Sequence, residues 1–202
     1  PFLDAALCAL RPARGFDTPT MATDGALLYY SGAWLASRYE RSRALVCRAW
    51  LHLLFHCILR HPAKRQGRDG ALWDLCCDIA VEHLLDRLHY PCLAAPEAVS
   101  KREALYARLG GDRRPLTAEA VYRQFRRERL PAYEQAGLVR EFYRDDHSLW
   151  ERTRSQGDEE TWRRAAERVQ TNMETLFHES AAGGEAELEQ LREKKFRLET
   201  AI

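Results

Sequence analysis

The segment Ser42–His61 constrains this chain more than any other. It has helical length, and its apolar residues spread too widely around a helix for a surface position. Such a helix must be central and mostly buried. It nevertheless carries Arg48, His52 and His56, which interrupt its apolar run well short of the roughly 18–20 residues a bilayer span needs. Pro62 closes it. A polar loop, Ala63–Gly70, leads to a second helix, Ala71–Leu88, ended by Tyr90-Pro91. The mixed apolar face of the second helix suits it to pack against the first.

The other elements are smaller. Phe2–Leu10 reads as a short amphipathic helix stopped by Arg11-Pro12. Thr20–Tyr30 is a hairpin signal, since Asp24-Gly25 supplies the positive φ angles of a tight I′ turn. Thr117 caps a helix running to about Arg129, and further helices are expected at Glu159–Glu179 and Ala186–Glu199, separated by Ala181–Gly184. The expected fold class is α+β, mainly α, with a small hairpin or sheet on a central helix. Charge density nearly doubles beyond residue 100, whereas all 6 cysteines lie before it. That shift divides the chain into a core over 1–110, where any chemistry belongs, and a charged helical extension over 111–202. The tail, Lys194–Ile202, is expected to be loosely held.

Net charge is +1, from 31 basic and 30 acidic residues, so no global field calls for nucleic acid or an anionic membrane. The basic residues are almost all Arg, Lys64, Lys101, Lys194 and Lys195 being the exceptions. Pro1–Leu10 lacks the basic start and small-residue cleavage site of a signal peptide. The cysteines follow no framework spacing, which fits reduced thiols and a cytoplasmic chain.

The buried helix contains His52-Leu-Leu-Phe-His56. Residues four apart share a helical face with Cβ atoms about 5–6 Å apart, so two imidazoles there can chelate one metal. Spacing alone leaves a second reading open: two core histidines, each satisfied by protein partners. Setting favours the metal, because two imidazoles in an apolar helix have four ring nitrogens to satisfy and a shared ion takes one from each.

Four ordered stretches carry a resemblance. They are Thr20-Met-Ala-Thr-Asp-Gly-Ala-Leu-Leu-Tyr-Tyr30, His52-Leu-Leu-Phe-His-Cys-Ile-Leu-Arg-His61, Trp73-Asp-Leu-Cys-Cys-Asp-Ile-Ala-Val-Glu82 and Asp145-Asp-His-Ser-Leu-Trp150. Together, over about residues 1–155, they resemble the metallopeptidase-type domain of bacterial von Willebrand factor A-associated proteins. The resemblance implies a zincin-like fold in which a strand edge, here at Thr23 and Tyr29, binds extended peptide beside the active-site helix. It implies Zn²⁺ held by His52, His56 and, by position, Asp78. It also implies association with a von Willebrand factor A domain and an AAA-type ATPase.

Two departures from the family pattern bear on activity. Leu53 stands where an HExxH motif has the glutamate that takes the proton from the attacking water, and leucine has no acceptor. Glu82 stands where an Asn is expected; it is a substitute base, a ligand or, most simply, a solvated side chain. His147 is a possible further ligand or supporting partner. His61, nine residues from His52 on a regular helix, reads as a cap on the opposite face. The leading expectation is a zinc-binding, metallopeptidase-like pseudoenzyme with a degenerate HxxxH site, acting in assembly or peptide recognition. A metal-free interaction module ranks second, and an active metallopeptidase with a relocated base third. Leu53 puts the last reading last.

Overall fold

The structure, a computed structural model, describes residues 3–14, 16–94, 99–151, 156–179 and 185–202. Phe2 and the break expected at Ala181–Gly184 lie outside the described residues. The fold is mainly helical with one three-stranded sheet, as expected. It opens with α1 (Asp4–Leu7), β1 (Arg11–Pro12), β2 (Met21–Thr23) and β3 (Leu27–Tyr30). β3 lies in the middle, parallel to β1 and antiparallel to β2, with Ala22 opposite Tyr29 and Thr23 opposite Leu28.

The β2–β3 turn differs from a I′ turn. Only Gly25 has positive φ, at 95°. Asp24 instead accepts hydrogen bonds at Oδ1 from the amides of Ala26 and Leu27, and Thr23 Oγ1 donates to the Leu27 carbonyl. Side-chain bonding to nearby backbone thus builds a wider loop than the dipeptide alone suggests.

Helices α2 (Gly32–Arg41) and α3 (Arg43–Ile58) follow, joined at Ser42, whose hydroxyl accepts from the Ala44 amide as the α3 cap. Next come α4 (Gly70–Arg87), α5 (Val99–Arg108), α6 (Ala118–Glu128) and α7 (Ala132–Phe142). The last two are α8 (Gln156–Glu179) and α9 (Glu185–Ala201). Asp69 and Thr117 cap α4 and α6 through their side chains. The sequence reading anticipated α4 and α6 within a residue and α3 except for its end, which comes three residues early at Ile58, but not α2, α5 or α7.

Helices α3 and α4 pack on each other at the centre. On one side Leu53, Leu54, Phe55 and Ile58 of α3 join Val81, Leu84 and Leu85 of α4, Leu28 of β3, and Trp162 and Val169 of α8. On another face of α4, Leu72, Leu75 and Ile79 meet Tyr106 of α5, Val121 and Phe125 of α6, and Phe142 of α7. Trp73, Cys77 and Trp150 form a third, smaller cluster. Because α4 borders all three, it is buried almost all round. The C-terminal helix is not loose: Leu198 is buried in the first cluster, although Phe196 is exposed. Among the described residues no helix is long and apolar enough to cross a membrane.

Candidate metal centre

Helix periodicity places Arg48, His52 and His56 along one line of α3, and Asp78, Glu82 and Asp86 along one line of α4. The two lines face each other within the core. His52 Nδ1 donates to Glu82 Oε1 at 2.9 Å, leaving Nε2 directed at Asp78 Oδ1, 3.2 Å away. His56 Nε2 lies 2.8 Å from His52 Nε2 and 3.3 Å from Asp78 Oδ1. A third backbone segment completes the group: Asp145 Oδ1 is 3.4 Å from His52 Nε2 and 3.7 Å from His56 Nε2.

These four donor atoms lie within 4.8 Å of one another, and all four residues are buried. Donors held at about 2.0–2.2 Å around a tetrahedral ion stand roughly 3.3–3.6 Å apart. The separations above bracket that spacing. Nitrogen and carboxylate oxygen are also the donor types that suit zinc and its neighbours.

The proton inventory agrees with a bound ion. A carboxylate only accepts, so the 2.9 Å contact to Glu82 puts the His52 proton on Nδ1 and the lone pair of the neutral ring on Nε2. His56 Nδ1 sits 2.9 Å from His61 Nδ1. If His56 donates there, its Nε2 lone pair also faces the cluster, and neutral His61 carries its proton on Nε2. His52, His56 and His61 then have mutually consistent tautomers. Asp145 Oδ2 is buried with no hydrogen-bond partner, so this carboxylate keeps unused acceptor capacity beside the cluster.

Without an ion the site is held by shared protons. Burial opposes charge on His52, but hydrogen bonds to Asp145, Asp78 and Glu82 outweigh it and raise its pKa to about 10. His147 is likewise pushed well up, because Asp145 and Asp78 outweigh its burial. Its Nε2 lies 3.0 Å from Asp145 Oδ1 and 3.2 Å from Asp78 Oδ1. Asp78 and Asp145 are both held below the usual carboxylate range, since the nearby imidazoles outweigh the burial that would raise them.

The segment bearing Asp145 and His147 is pinned in place. The Asp146 amide donates to the Met21 carbonyl at 2.7 Å, pairing this segment with Ala22 on the outer side of β2. His147 then stacks on Trp150, with ring centroids 4.0 Å apart, and Trp150 also meets His56 edge-on at 4.9 Å. Trp150 lines a cleft of about 450 Å³ together with Pro62, Arg65, Gln66 and Arg68. A single indole therefore links that cleft to two imidazoles of the cluster.

Several expectations change. Glu82 is fully buried rather than solvated, because α4 has no solvent face at this level. Its pKa is depressed: burial raises it, but the hydrogen bond from His52 and the charge of Arg48 prevail. His61 is not on the opposite face. Helix α3 ends at Ile58, and Arg60 adopts φ 58°, so the amides of Arg60 and His61 return to the carbonyls of Cys57 and His56. This Schellman-type ending turns His61 back onto His56.

Leu53 packs inside the first core cluster, fully buried. A glutamate there would bury an unpaired carboxylate. Thr23 is buried with its hydroxyl committed to the hairpin, and Tyr29 lies on the middle strand against Phe16. Neither is among the clustered donors. Sequence reasoning missed Asp145 as a donor, although Asp145-Asp-His had been marked as a motif; no periodicity ties that segment to α3. It also missed Arg48.

Burial pushes the thiols of Cys57, Cys76 and Cys77 up, so none is an activated nucleophile. No curated protein and no solved structure matches the chain. Its sequence does match, over residues 1–201, the family described as "Putative metallopeptidase domain". With the helix-borne histidine pair and its carboxylate partners in view, the chain belongs to that metallopeptidase-domain family.

Proposed function

We propose that this domain binds one zinc ion through His52, His56, Asp78 and Asp145, with weak or no peptidase activity, and serves peptide recognition or assembly. The observation that carries this reading is the convergence of four buried donors at metal-ligand spacing. A bound zinc ion supplies Lewis-acid polarisation and lowers the pKa of water at an open position. The protein must then supply a proton acceptor and room for a substrate carbonyl. Leu53 has no acceptor and faces the core. Glu82 has Oε1 committed to His52 and Oε2 committed to Arg48. The donors themselves are almost wholly enclosed, which leaves a peptide no open path to them.

The test is zinc content of protein purified without chelator, followed by turnover on a broad peptide library. Retained zinc with negligible cleavage is the expected result; robust chelator-sensitive cleavage contradicts it. One observation favours a second reading, a working enzyme with a relocated base. Asp145 Oδ2 is buried without a hydrogen-bond partner and can accept a proton. Cleavage abolished by Asp145→Asn but retained in Glu82→Gln would support that reading.

A further inference from the structure

Below the metal cluster, one helical turn along α3 and α4, lies a buried ionic network. Arg48 Nη2 contacts Glu82 Oε2 at 2.9 Å and Asp86 Oδ1 at 2.6 Å, while Nη1 donates to the Leu93 carbonyl at 3.0 Å. Arg102 Nη2 donates to Asp86 Oδ1 at 3.2 Å, and the Tyr106 hydroxyl to Asp86 Oδ2 at 2.9 Å. The network touches the cluster at one point, the Glu82–His52 hydrogen bond.

We propose that Glu82, braced by Arg48, is the positioning residue of the metal centre, holding His52 in the tautomer that turns the Nε2 lone pair toward Asp78 and His56. The inference rests on the proposed metal binding and assigns Glu82 a role other than base or ligand. A neutral imidazole carries one proton and can place it on either nitrogen. A carboxylate at Nδ1 decides the matter and makes Nε2 a better donor. Glu82 meets His52 on Nδ1, the nitrogen not directed at Asp78, so it cannot reach a group bound among the donors. Arg48 grips Oε2 through Nε at 3.1 Å as well as Nη2, while His52 holds Oε1, so both carboxylate oxygens are restrained.

The account is tested on the full chain with zinc as the probe. In ¹⁵N-histidine NMR of the wild type, His52 should carry its proton on Nδ1 in the zinc-loaded protein, with zinc on Nε2. Competition against a chromophoric chelator should show Glu82→Gln binding zinc about 10–100-fold more weakly. Tyr106→Phe, which loosens only the far end of the network, should bind zinc within about twofold of wild type even where it lowers the melting temperature; that comparison separates positioning from general destabilisation. Unchanged zinc affinity in Glu82→Gln, an equal loss in Tyr106→Phe, or zinc on His52 Nδ1 would each overturn the proposal. If Glu82→Gln does not fold, the wild-type tautomer decides alone. Failure of the wild type to take up zinc would contradict the proposed function and remove this inference with it.

Discussion

The two ends of the α3–α4 interface solve one problem in different ways. At one end two carboxylates, Glu82 and Asp86, meet two guanidinium groups, Arg48 and Arg102. At the other, Asp78 and Asp145 meet only imidazoles, those of His52, His56 and His147. An arginine cannot give up its proton in a protein, so the first end is neutralised permanently. An imidazole can, so the second end can exchange shared protons for a divalent ion. The same helices and the same spacing thus give a fixed structural network beside a cluster whose charges are balanced by exchangeable protons.

The sharpest way to break this comparison is to remove one fixed cation. Arg48→Met leaves Glu82 and Asp86 buried with diminished partners, and should cost about 3–5 kcal/mol in denaturant unfolding. A loss under 1 kcal/mol would show that the network is not self-supporting. At the other end the cost should depend on zinc. At a free zinc concentration about 100 times the Kd, the ion adds about 2.7 kcal/mol, which chelation removes. His56→Leu should abolish that increment in differential scanning calorimetry while changing the zinc-free chain much less than Arg48→Met does.

His83, next to Glu82 on α4, sharpens the contrast because it is buried without a carboxylate against it. Its Nε2 donates to the Gly111 carbonyl, and its Nδ1 accepts from the Leu116 amide. Burial, with Arg87 adding, lowers its pKa to about 4. The unfolded chain, with histidine near 6.5, therefore binds the proton more tightly. This contribution is fully present above pH 6.5 and is lost as pH falls toward 4, by about 3 kcal/mol. Stability curves for wild type and His83→Gln should converge over that window; parallel curves would count against it.

Smaller effects test the backbone around these groups. A Cβ at Gly111 would stand 2.9 Å from His83 Nε2 and 3.1 Å from the Tyr106 carbonyl oxygen. Gly111→Ala should cost about 1–3 kcal/mol through this crowding. At the end of α3, Arg60 adopts the left-handed conformation that glycine takes without steric cost. Arg60→Gly should be neutral or stabilising by up to ~1 kcal/mol while keeping His61 on His56. Marked destabilisation would mean that the Arg60–Glu159 pair matters more than an exposed ion pair usually does.

Much of this was legible in the chain. The breadth of the apolar pattern in Ser42–His61 announced a buried helix, and the His52–His56 spacing announced a shared face. Asp78 followed from motif position. Helix α2 was missed because its residues are half-buried or exposed and carry no strong apolar stripe. The place of His61 was illegible for a different reason: helical arithmetic holds only while the helix continues, and a left-handed arginine ends it. Asp145 required tertiary knowledge, since a strand-edge pairing with Ala22, remote in sequence, delivers it. Glu82 was misjudged because an isolated glutamate on a helix is usually solvated, and the arginine that buries it lies on another element.

The central claim is that histidine and aspartate alone hold a metal at this helix pair. X-ray absorption at the zinc edge, on protein loaded with about one equivalent, tests it most directly. The account predicts only nitrogen and oxygen neighbours near 2.0–2.2 Å, including at least two imidazoles. Sulfur scattering near 2.3 Å, placing the ion on the neighbouring cysteines, would contradict it, as would failure to retain zinc at all.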